Sequence, residues 1–335
     1  MTRVAVDALG GDRAPEEVVA GALQAAQDGI EPILFGPADL DAHGLPLVEA
    51  PDAIGMEEKP ADAVRSKPNS SLVAACRAVG QREADAVVSA GNTGAMLAAC
   101  FVQLRRLKGV ARPAIAVVIP SKRGPSVLID SGANADARPE HLLQFAHMGS
   151  VFAQEVLEID DPEVRLLSIG EEAEKGNALT LEAHALLAEA DGLRFGGNTE
   201  SRDLLLGAAD VVVCDGFTGN VALKAVEGTI RTLLDSLREE ITASTTGTVG
   251  GLLIRPAARR LRKRLDPDTY GGAYLLGLRG LVVIAHGNSS ATAIANAIRL
   301  AARGVDHDVV GRLAARLSGP QGGLGETVAV SPEPR

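Results

Sequence analysis

The 335-residue chain is long enough to bury a large core, and its 46% hydrophobic and 23% charged residues are typical of a globular protein. Its formal net charge of −10 argues against nucleic acid as the main partner, because proteins that bind nucleic acid present a basic footprint. The three cysteines have neither paired nor metal-ligand spacing, which favours a reducing compartment. No stretch reaches the ~20 apolar residues of a membrane-spanning helix, so we expect a soluble, cytoplasmic protein.

Short β-branched runs alternate with longer helical stretches along the chain. The strand candidates are residues 4–7, 32–35, 86–90, 114–119, 126–130, 164–169, 210–214 and 281–285. The helix candidates are 16–28, 71–82, 93–108, 139–157, 179–190, 220–242 and 290–303. Because strands that are apolar throughout are typical of a sheet covered on both faces, the pattern predicts one doubly wound, mostly parallel α/β domain over residues 1–317. Residues 318–335, rich in Gly and Pro, are expected to form a flexible tail.

One segment departs from this alternation, since no strand candidate lies between Asn220 and Asp268. The helix over 220–242 is followed by a Thr/Gly-rich stretch over 245–251. A second helix is expected to begin near Arg255 and Pro256, because proline is favoured in the first turn of a helix. The segment therefore predicts an αα-hairpin, over about 220–268, that projects from the sheet.

Five strand candidates end in a polar, glycine-containing turn that opens a helix: 89–94, 130–134, 168–172, 215–220 and 286–290. In a parallel sheet these turns share the carboxyl edge, where free helix N–H groups and the helix dipole attract anions. Any one turn is explained by tight βα geometry, but five together favour a shared cleft for an anionic substrate. None carries a dinucleotide or P-loop fingerprint, so nothing calls for a nucleotide cofactor. The six scattered histidines predict no metal.

Several of these stretches match one family in order along the chain: 5–15, 63–71, 89–95, 170–177, 215–220 with Leu223 and Lys224, and 285–290. Together they resemble the phosphate:acyl-carrier-protein acyltransferase family. The resemblance implies the fold of phosphotransacetylases and of the isocitrate and isopropylmalate dehydrogenase group, and a homodimer. It also implies acyl-carrier protein as acyl donor, inorganic phosphate as acceptor and an acyl-phosphate product. That product would pass to a membrane glycerol-phosphate acyltransferase in phospholipid synthesis.

Phosphate attack on a thioester makes modest chemical demands. A phosphoryl group has a second pKa of about 6, so an oxyanion nucleophile exists at neutral pH. The leaving thiol has a pKa of about 8.5 and departs with little help. What remains is to align two reactants and to stabilise the tetrahedral oxyanion. Lysine, asparagine and main-chain N–H groups can do both.

Lys175 and Asn220 are the catalytic candidates. The resemblance places a catalytic lysine at Lys175, which without it would pass for a surface lysine paired with Glu171 or Glu172. Asn220, at the start of the predicted helix, suits an N-cap, and its amide could also donate to the thioester oxygen. Lys224, one turn further on the same face, adds charge or is an ordinary surface lysine.

The other substrate-binding candidates lie at strand ends, in turns or in loops: Asp215, His286, Asn198, Asn92, Arg65 and Lys67. Asp215, which is expected at the same sheet edge as Asp7, could orient the lysine or a backbone turn. His286 could act as a general acid or phosphate donor, or be structural. Asn92 and Asn198 could donate their amides, and Arg65 and Lys67 could bind phosphate or the carrier's prosthetic arm, or lie in a solvated loop. Cys214 is expected to be a buried small hydrophobe.

The second helix of the hairpin concentrates positive charge in an acidic chain. Its docking candidates are Leu252, Leu253, Ile254, Arg255, Arg259, Arg262 and Lys263. Such a helix can attach reversibly to an anionic bilayer, at up to ~1 kcal/mol per cation, or dock the acidic carrier protein. It could also pack on a dimer partner or, least in keeping with the acidic chain, bind nucleic acid. Two alternatives to the main function stay open: a short-chain phosphotransacetylase that uses acyl-CoA, and a non-catalytic lipid-binding scaffold.

Overall fold

Eleven strands form one sheet in the computed structural model, which describes residues 1–265 and 271–318. The strands are β1 (Arg3–Asp7), β2 (Glu31–Gly36), β3 (Leu47–Glu49), β4 (Ala86–Ser89), β5 (Ala114–Pro120), β6 (Pro125–Ile129), β7 (Glu163–Leu167), β8 (Arg194–Thr199), β9 (Val211–Val213), β10 (Ala273–Leu276) and β11 (Leu281–Ile284). Their order across the sheet is β3-β2-β1-β4-β11-β10-β5-β6-β9-β7-β8. The α/β class with a mostly parallel sheet is confirmed.

Helices cover both faces of this sheet. They are α1 (Glu16–Ala26), α2 (Pro60–Ser66), α3 (Ser71–Gly80), α4 (Thr93–Gln103), α5 (Pro139–Leu157), α6 (Ala178–Ala188), α7 (Gly216–Thr242), α8 (Thr245–Leu265), α9 (Ala291–Asp306) and α10 (Val309–Ser318), with a 3₁₀ helix at Ser201–Leu206. Side-chain N-caps start several of them, as the polar turns predict: the side chain of Asn92 accepts from Ala95 N, and that of Ser290 from Ala293 N.

The core is built mainly from Val, Leu, Ile and Ala on both faces of the sheet, as a chain with 2% aromatic residues requires. The largest buried side chains include Phe145, Phe152 and Tyr274. The rings of Phe152 and Tyr274 meet edge to face at 4.9 Å. A smaller apolar cluster lies under the start of α7 and includes Leu128, Leu167 and Leu223. This packing anchors α7, which positions the candidate site.

The strands do not all run the same way. β10 pairs antiparallel with both β11 and β5, and β5 pairs antiparallel with β6. The remaining pairings are parallel, so β1, β4 and β11 run opposite to β6, β7 and β9. The turns 89–94 and 286–290 therefore lie at one end of the strands, and 130–134, 168–172 and 215–220 at the other. The expectations of one shared edge for all five turns, and of Asp7 and Asp215 at the same edge, are wrong.

Five elements lie where the sequence pattern predicted none: β3, β8, β10, α2 and α10. β3 and β8 are the outermost strands of the sheet, and β8 carries Gly196 and Gly197, which weaken the strand signal. β10 follows Gly271 and Gly272, which both have positive φ angles, and it runs antiparallel to both of its neighbours.

The hairpin is formed by α7 and α8, which pack against each other. Its bounds differ from the expected ones in two places. α7 begins at Gly216 and not at Asn220, and α8 begins at Thr245, so that Pro256 lies inside a helix instead of in its first turn. Gly247 and Gly251 explain the early start: a Cβ on either would lie 2.4 or 2.6 Å from Ile241, so glycine lets the two helices approach closely. Residues 266–268 of the predicted hairpin and 319–335 of the predicted tail lie outside the described residues.

Candidate active site

The first turn of α7 is pressed against the turn that follows β6. Gly216 N donates to Asn134 O at 2.7 Å, and a Cβ on Gly219 would lie 1.9 Å from Asp130 O. Asp215 is the N-cap of α7, because its Oδ1 accepts from Thr218 N at 2.9 Å and its Oδ2 from Thr218 Oγ1 at 2.7 Å. Asn220 therefore lies in the second turn of α7, and the expectation that Asn220 is the N-cap is wrong.

Asn220 faces the turn after β6. An ideal Cβ on Gly132 would lie 3.7 Å from Asn220 Cβ and Cγ. The turn itself is organised by Asp130, whose buried carboxylate accepts from Ala133 N at 3.0 Å and from Asn134 N at 2.7 Å. Burial raises the pKa of Asp130, and these hydrogen bonds oppose the rise. The exposed Asn220 amide is thus set against a rigid backbone turn.

The loop that carries Lys175 is held at three points. Ser168 Oγ donates to Lys175 O at 2.9 Å, and Asn198 Nδ2 donates to Glu172 O at 2.8 Å. Gly176 has φ +130°, and a Cβ there would lie 1.9 Å from Thr180 Oγ1, so glycine is required. Lys175 itself is exposed. Within the described residues its ammonium forms no ion pair, so the pairing with Glu171 or Glu172 that would make it an ordinary surface lysine is not seen.

Asn198 is engaged on both sides of its amide. Its Oδ1 lies 2.9 Å from His184 Nδ1, while its Nδ2 holds the main chain of the Lys175 loop. The amide that was expected to contact substrate therefore positions the loop.

An apolar groove of about 820 Å³ separates α7 from the Lys175 loop. The residues that line it are Leu142, Leu167, Ser168, Ile169, Gly176, Asn177, Thr180, Ser201, Arg202, Leu204, Leu205, Cys214, Asp215, Phe217, Thr218, Val221, Ala222, Ala225, Val226 and Thr229. Its volume falls in the range of small-molecule sites, roughly 300–1,000 Å³. Because the groove reaches both Gly176 and Thr218, it lies beside the backbone that carries Lys175 and the N-terminal turns of α7.

Cys214 contributes an apolar surface to this groove. The thiol is buried, with Sγ 3.6 Å from Asp130 O. Burial raises the pKa of Cys214, with further contributions from Asp215 and Asp130, so the thiol stays protonated. Its expected role as a small hydrophobe fits this environment better than a nucleophilic one.

A second face of α7 carries a polar stripe made of Asn220, Lys224 and Glu227. The spacing i, i+4, i+7 puts the three side chains on one side of the helix. Lys224 Nζ lies 2.9 Å from Glu227 Oε2, and His286 Nε2 lies 3.5 Å from Glu227 Oε1. α7 thus extends from the turn after β6 to the turn after β11 at the opposite end of the strands. Sequence reasoning missed Glu227, although its helical spacing from Asn220 and Lys224 was visible.

Asp7 organises the loops at the far end of the strands, next to the turn of His286. Its carboxylate accepts from Ser71 Oγ at 2.5 Å and from Ser89 Oγ at 2.7 Å, and burial raises the pKa of Asp7. The following loop reaches the turn after β11, where Asp12 N donates to Gly287 O at 2.7 Å. These contacts fit a structural role for Asp7.

Asn92 and Lys67 are both engaged with the segment 53–58. Asn92 caps α4, and its Nδ2 donates to the carbonyl oxygens of Gly55, Met56 and Glu58 at 3.3, 2.9 and 3.2 Å. Lys67 Nζ lies 2.6 Å from Glu58 Oε1 and 2.8 Å from Ala53 O. The hydrogen bond from Lys67 lowers the pKa of Glu58. Arg65, on α2, is exposed.

The docking candidates of α8 are solvent-exposed. The side chains of Leu252, Leu253 and Ile254 are 62%, 80% and 50% exposed, and the three candidate arginines are exposed as well. The side chain of Lys263 lies outside what the structure describes. Across residues 1–265 and 271–318, no helix is both long and apolar enough to cross a bilayer. In the same part of the chain, no three His, Cys, Asp or Glu residues are grouped so that they could hold a metal ion.

Comparison with known proteins decides the family. The family model described as "Fatty acid synthesis protein" matches residues 2–312. The phosphate acyltransferase of Heliobacterium modesticaldum is 46% identical over 329 residues, which cover 95% of this chain and 98% of that protein. The phosphate acyltransferase of Thermus thermophilus is 49% identical over 323 residues, covering 94% and 98%. This chain belongs to the phosphate acyltransferase family. The predicted resemblance is confirmed, and the protein is an acyltransferase of lipid synthesis.

Solved structures show the same fold at low sequence identity. A branched-chain phosphotransacylase from Enterococcus faecalis superposes with a TM-score of 0.61 at 18% identity, covering 92% of this chain and all of that one. The EutD phosphotransacetylase from Staphylococcus aureus gives a TM-score of 0.58 at 17% identity, covering 91% and 94%. These similarities confirm the predicted phosphotransacetylase-like fold. At this level of identity they carry no information about substrate or mechanism.

Proposed function

We propose that this phosphate acyltransferase moves a fatty acyl group from the thioester of acyl-carrier protein to inorganic phosphate, which yields acyl-phosphate and free carrier protein. The apolar groove beside the Lys175 loop is the observation that supports this proposal. A long acyl chain can fill about 820 Å³ of apolar space, whereas an acetyl group would leave most of it to water. The groove thus favours a fatty acyl donor over a short-chain one.

The N-terminus of α7 is the proposed reaction centre. Lys175, on the loop after β7 that borders the groove, is the proposed source of an unpaired positive charge for the phosphate or the developing oxyanion. Asn220 faces Gly132 on the opposite side of α7 and does not line the groove, so we propose its amide as an alternative donor to the thioester oxygen, reached past the N-terminal end of the helix. Asp215 fixes the first turn of the helix through Thr218, and of the first three N–H groups only that of Phe217 is left without a partner among the described residues. Alignment and oxyanion stabilisation then require no metal and no nucleotide cofactor.

The remaining site residues divide into two roles. Lys224 on the polar stripe, Arg65 on α2 and Lys67 beside the segment 53–58 are proposed to provide positive charge for the phosphate or for the carrier's prosthetic arm, and His286 beside the stripe is proposed as a hydrogen-bond donor to the same groups. Asn198 and Asn92 hold main-chain carbonyls and act by positioning the loops around the site.

A turnover assay tests the reaction and the assignment together. Acyl-carrier protein and phosphate are supplied, and acyl-phosphate is trapped with hydroxylamine; acyl-CoA replaces the donor in a parallel arm. We expect acyl-phosphate formation with a clear preference for the carrier-bound donor. Lys175→Ala should lower kcat by roughly 10²–10³-fold, and Lys108→Ala, which removes an exposed lysine outside the site, should not. Near-normal turnover of Lys175→Ala would remove the lysine from the mechanism.

The hairpin supplies the proposed interaction surfaces. Exposed apolar side chains at Leu252, Leu253 and Ile254 beside an arginine-rich helix suit an anionic membrane surface, and the same charge suits the acidic carrier protein. Peripheral attachment would bring acyl-phosphate to a membrane glycerol-phosphate acyltransferase. We accordingly propose a cytoplasmic protein that associates with the membrane surface.

A homodimer is part of the proposal. Leu233, Leu237 and Val249 are 66%, 50% and 61% exposed on the two helices of the hairpin, which leaves an apolar face for a second copy. Sedimentation of Leu233→Glu with Leu237→Glu, compared with the unchanged chain, tests this interface: the double variant should sediment as a monomer.

A further inference from the structure

Five exposed arginines lie at the end of the sheet where α7 begins. They belong to three loops: 104–113, which leads into β5; 130–138, which follows β6; and 277–280, which joins β10 to β11. Because β5 runs antiparallel to both β6 and β10, the start of β5 shares this end of the sheet with the ends of β6 and β10. The five residues form the arginine patch: Arg105, Arg106, Arg112, Arg138 and Arg279.

Hydrogen bonds join the loops 104–113 and 277–280 and fix two of the arginines. Arg279 N donates to Arg105 O at 3.0 Å, and Arg279 Nε donates to Arg106 O at 3.0 Å. The guanidinium group of Arg106 donates to Ala111 O and lies 5.5 Å from the ring centre of Phe101. Arg106 and Arg279 are therefore held in place before any partner binds, which lowers the entropy lost on binding.

The rest of the arginine patch borders the first turn of α7. Asn134, in the turn after β6, donates from Nδ2 to Pro113 O at 2.8 Å, and its O accepts from Gly216 N at 2.7 Å. Arg112 directly precedes Pro113, and Arg138 follows in the same loop as Asn134. In the strand order, β10 is three strand spacings from β9, or roughly 14 Å. The patch is thus close enough to the start of α7 for a tethered substrate to reach from one to the other.

The positive charge of the arginine patch is not neutralised within the described residues, because none of the five arginines forms an ion pair there. The loops 104–113 and 277–280 contain no Asp or Glu, and the nearby Asp136 and Glu140 are not paired with Arg138. Burial lowers the pKa of His141, and Arg112 and Arg138 lower it further, as two guanidinium groups beside one imidazole should. The patch therefore attracts an acidic partner.

An exposed apolar spot adjoins these charges. Phe101 and Val102, at the end of α4, are 47% and 62% exposed, and Arg106 lies over the ring of Phe101. Aromatic side chains and arginine are enriched in protein–protein interfaces, whereas a small anion such as phosphate gains nothing from exposed apolar side chains. The combination favours an acidic protein as the occupant of this surface.

We propose that the arginine patch docks the acidic acyl-carrier protein, and that the carrier's prosthetic arm runs from there past the N-terminus of α7 to the groove. Charge complementarity supports this assignment, because a chain with a net charge of −10 repels an acidic carrier except where such a patch attracts it. The helix α8 is then left to the membrane surface. The inference rests on the proposed function, since it names where the carrier of the proposed acyl donor binds.

Charge reversal in the patch tests the assignment with two acyl donors. Arg112→Glu with Arg138→Glu is assayed with acyl-carrier protein and with the acyl thioester of free pantetheine, which has no protein to dock. The two guanidinium groups donate no hydrogen bond to any described residue, so the fold should survive the change. With acyl-carrier protein, KM should rise at least ~10-fold at low salt, because charges at the rim of an interface act on association. With acyl-pantetheine, kcat/KM and the KM for phosphate should match those of the control variant.

Lys122→Glu with Arg123→Glu is the matched control. It makes the same change in charge at two exposed residues of the connection between β5 and β6, at the opposite end of these strands, and should leave the KM for acyl-carrier protein unchanged. Added KCl should raise this KM for the unchanged enzyme and the control, and should have less effect on the patch variant. If the double Glu variant loses stability, Arg112→Gln with Arg138→Gln removes the charge without reversing it and should raise KM in the same direction.

Four results would overturn the inference. They are an unchanged KM for acyl-carrier protein in the patch variants, an equal loss with acyl-pantetheine, a comparable rise of KM in Arg259→Glu with Arg262→Glu on α8, and loss of a dimer in sedimentation, which would assign the patch to a second copy of the chain. Binding of the carrier protein is also measured by fluorescence anisotropy, without turnover. If the carrier binds through the patch but no acyl-phosphate forms, the proposed function fails and the docking surface does not.

Discussion

Filling the groove should shorten the acyl chain that the enzyme accepts. Ala225 lies on α7, lines the groove and is exposed, so a larger side chain can enter the groove without displacing the core. Ala225→Phe places a ring in this space at a helix-propensity cost of at most ~0.7 kcal/mol. The N-terminal turns of α7 and the Lys175 loop stay as they are.

The size of the effect follows from the buried methylenes. Each CH₂ taken from water contributes about 0.8 kcal/mol, which is about fourfold in kcat/KM. If the ring displaces roughly four methylenes, the loss for a long chain is about 3 kcal/mol, or roughly 200-fold. Chains too short to reach Ala225 should be unaffected.

The assay is kcat/KM for a series of acyl-carrier proteins from four to eighteen carbons, about two carbons per step. Thr232→Phe is the matched control, since Thr232 is exposed on the same helix but does not line the groove. A uniform fall of kcat/KM at every chain length would refute the assignment of the groove to the acyl chain. Loss of dimer in sedimentation without any length dependence would assign the groove to a second copy of the chain.

Three further predictions concern stability and docking. Burial and nearby Arg316 lower the pKa of His147 to about 4, so between pH 6.5 and 4 the unfolded chain takes up a proton that the folded chain refuses. The free energy of unfolding should therefore fall by about 3 kcal/mol over that range, and urea titrations of His147→Leu should lack this component. Gly219→Ala should lower the free energy of unfolding by at least ~2 kcal/mol, because the new Cβ would lie 1.9 Å from Asp130 O, whereas Gly228→Ala, with no neighbour within 4 Å, should be neutral or stabilising in the same titration. Arg259→Glu with Arg262→Glu should abolish flotation with anionic liposomes at unchanged turnover of acyl-carrier protein if the helix docks on membrane, and unchanged flotation would remove the membrane surface from the proposal.

The positions of eight of the eleven strands could be predicted from the sequence, but the strand directions could not. Apolar β-branched runs such as Val211–Val213 identify a buried strand from local composition alone. Direction depends on pairing between residues far apart in the chain, as when Ala273 pairs with Val117 and with Ile284. The antiparallel pairing of β5 with β6 places two turns at the end of the sheet opposite the other three, because β10 is antiparallel to both of its neighbours and leaves β11 and β5 running the same way.

The start of α7 shows a similar limit. The segment 215–220 contains two residue types that favour an N-cap, Asp215 and Asn220, and local propensity disfavours a helix through Gly216 and Gly219. Tertiary packing selects Asp215 and not Asn220 as the N-cap. The reason is that the first turn of the helix packs against the main chain of Asn134 and Asp130, where only glycine fits. Glu227 escaped notice for the same reason: its importance comes from His286, which approaches it from a distant part of the chain.

The central claim is that the reaction takes place at the N-terminus of α7, with Lys175 on the loop beside the groove and Asn220 on the opposite side of the helix as alternative contacts of the thioester oxygen. A crystal structure with phosphate and a non-hydrolysable acyl-pantetheine thioester analogue tests it directly. The account predicts the carbonyl oxygen within hydrogen-bond distance of Lys175 Nζ or Asn220 Nδ2 and the acyl chain along Ala222 and Ala225. An acyl chain bound elsewhere, with the carbonyl carbon remote from both side chains, would contradict it.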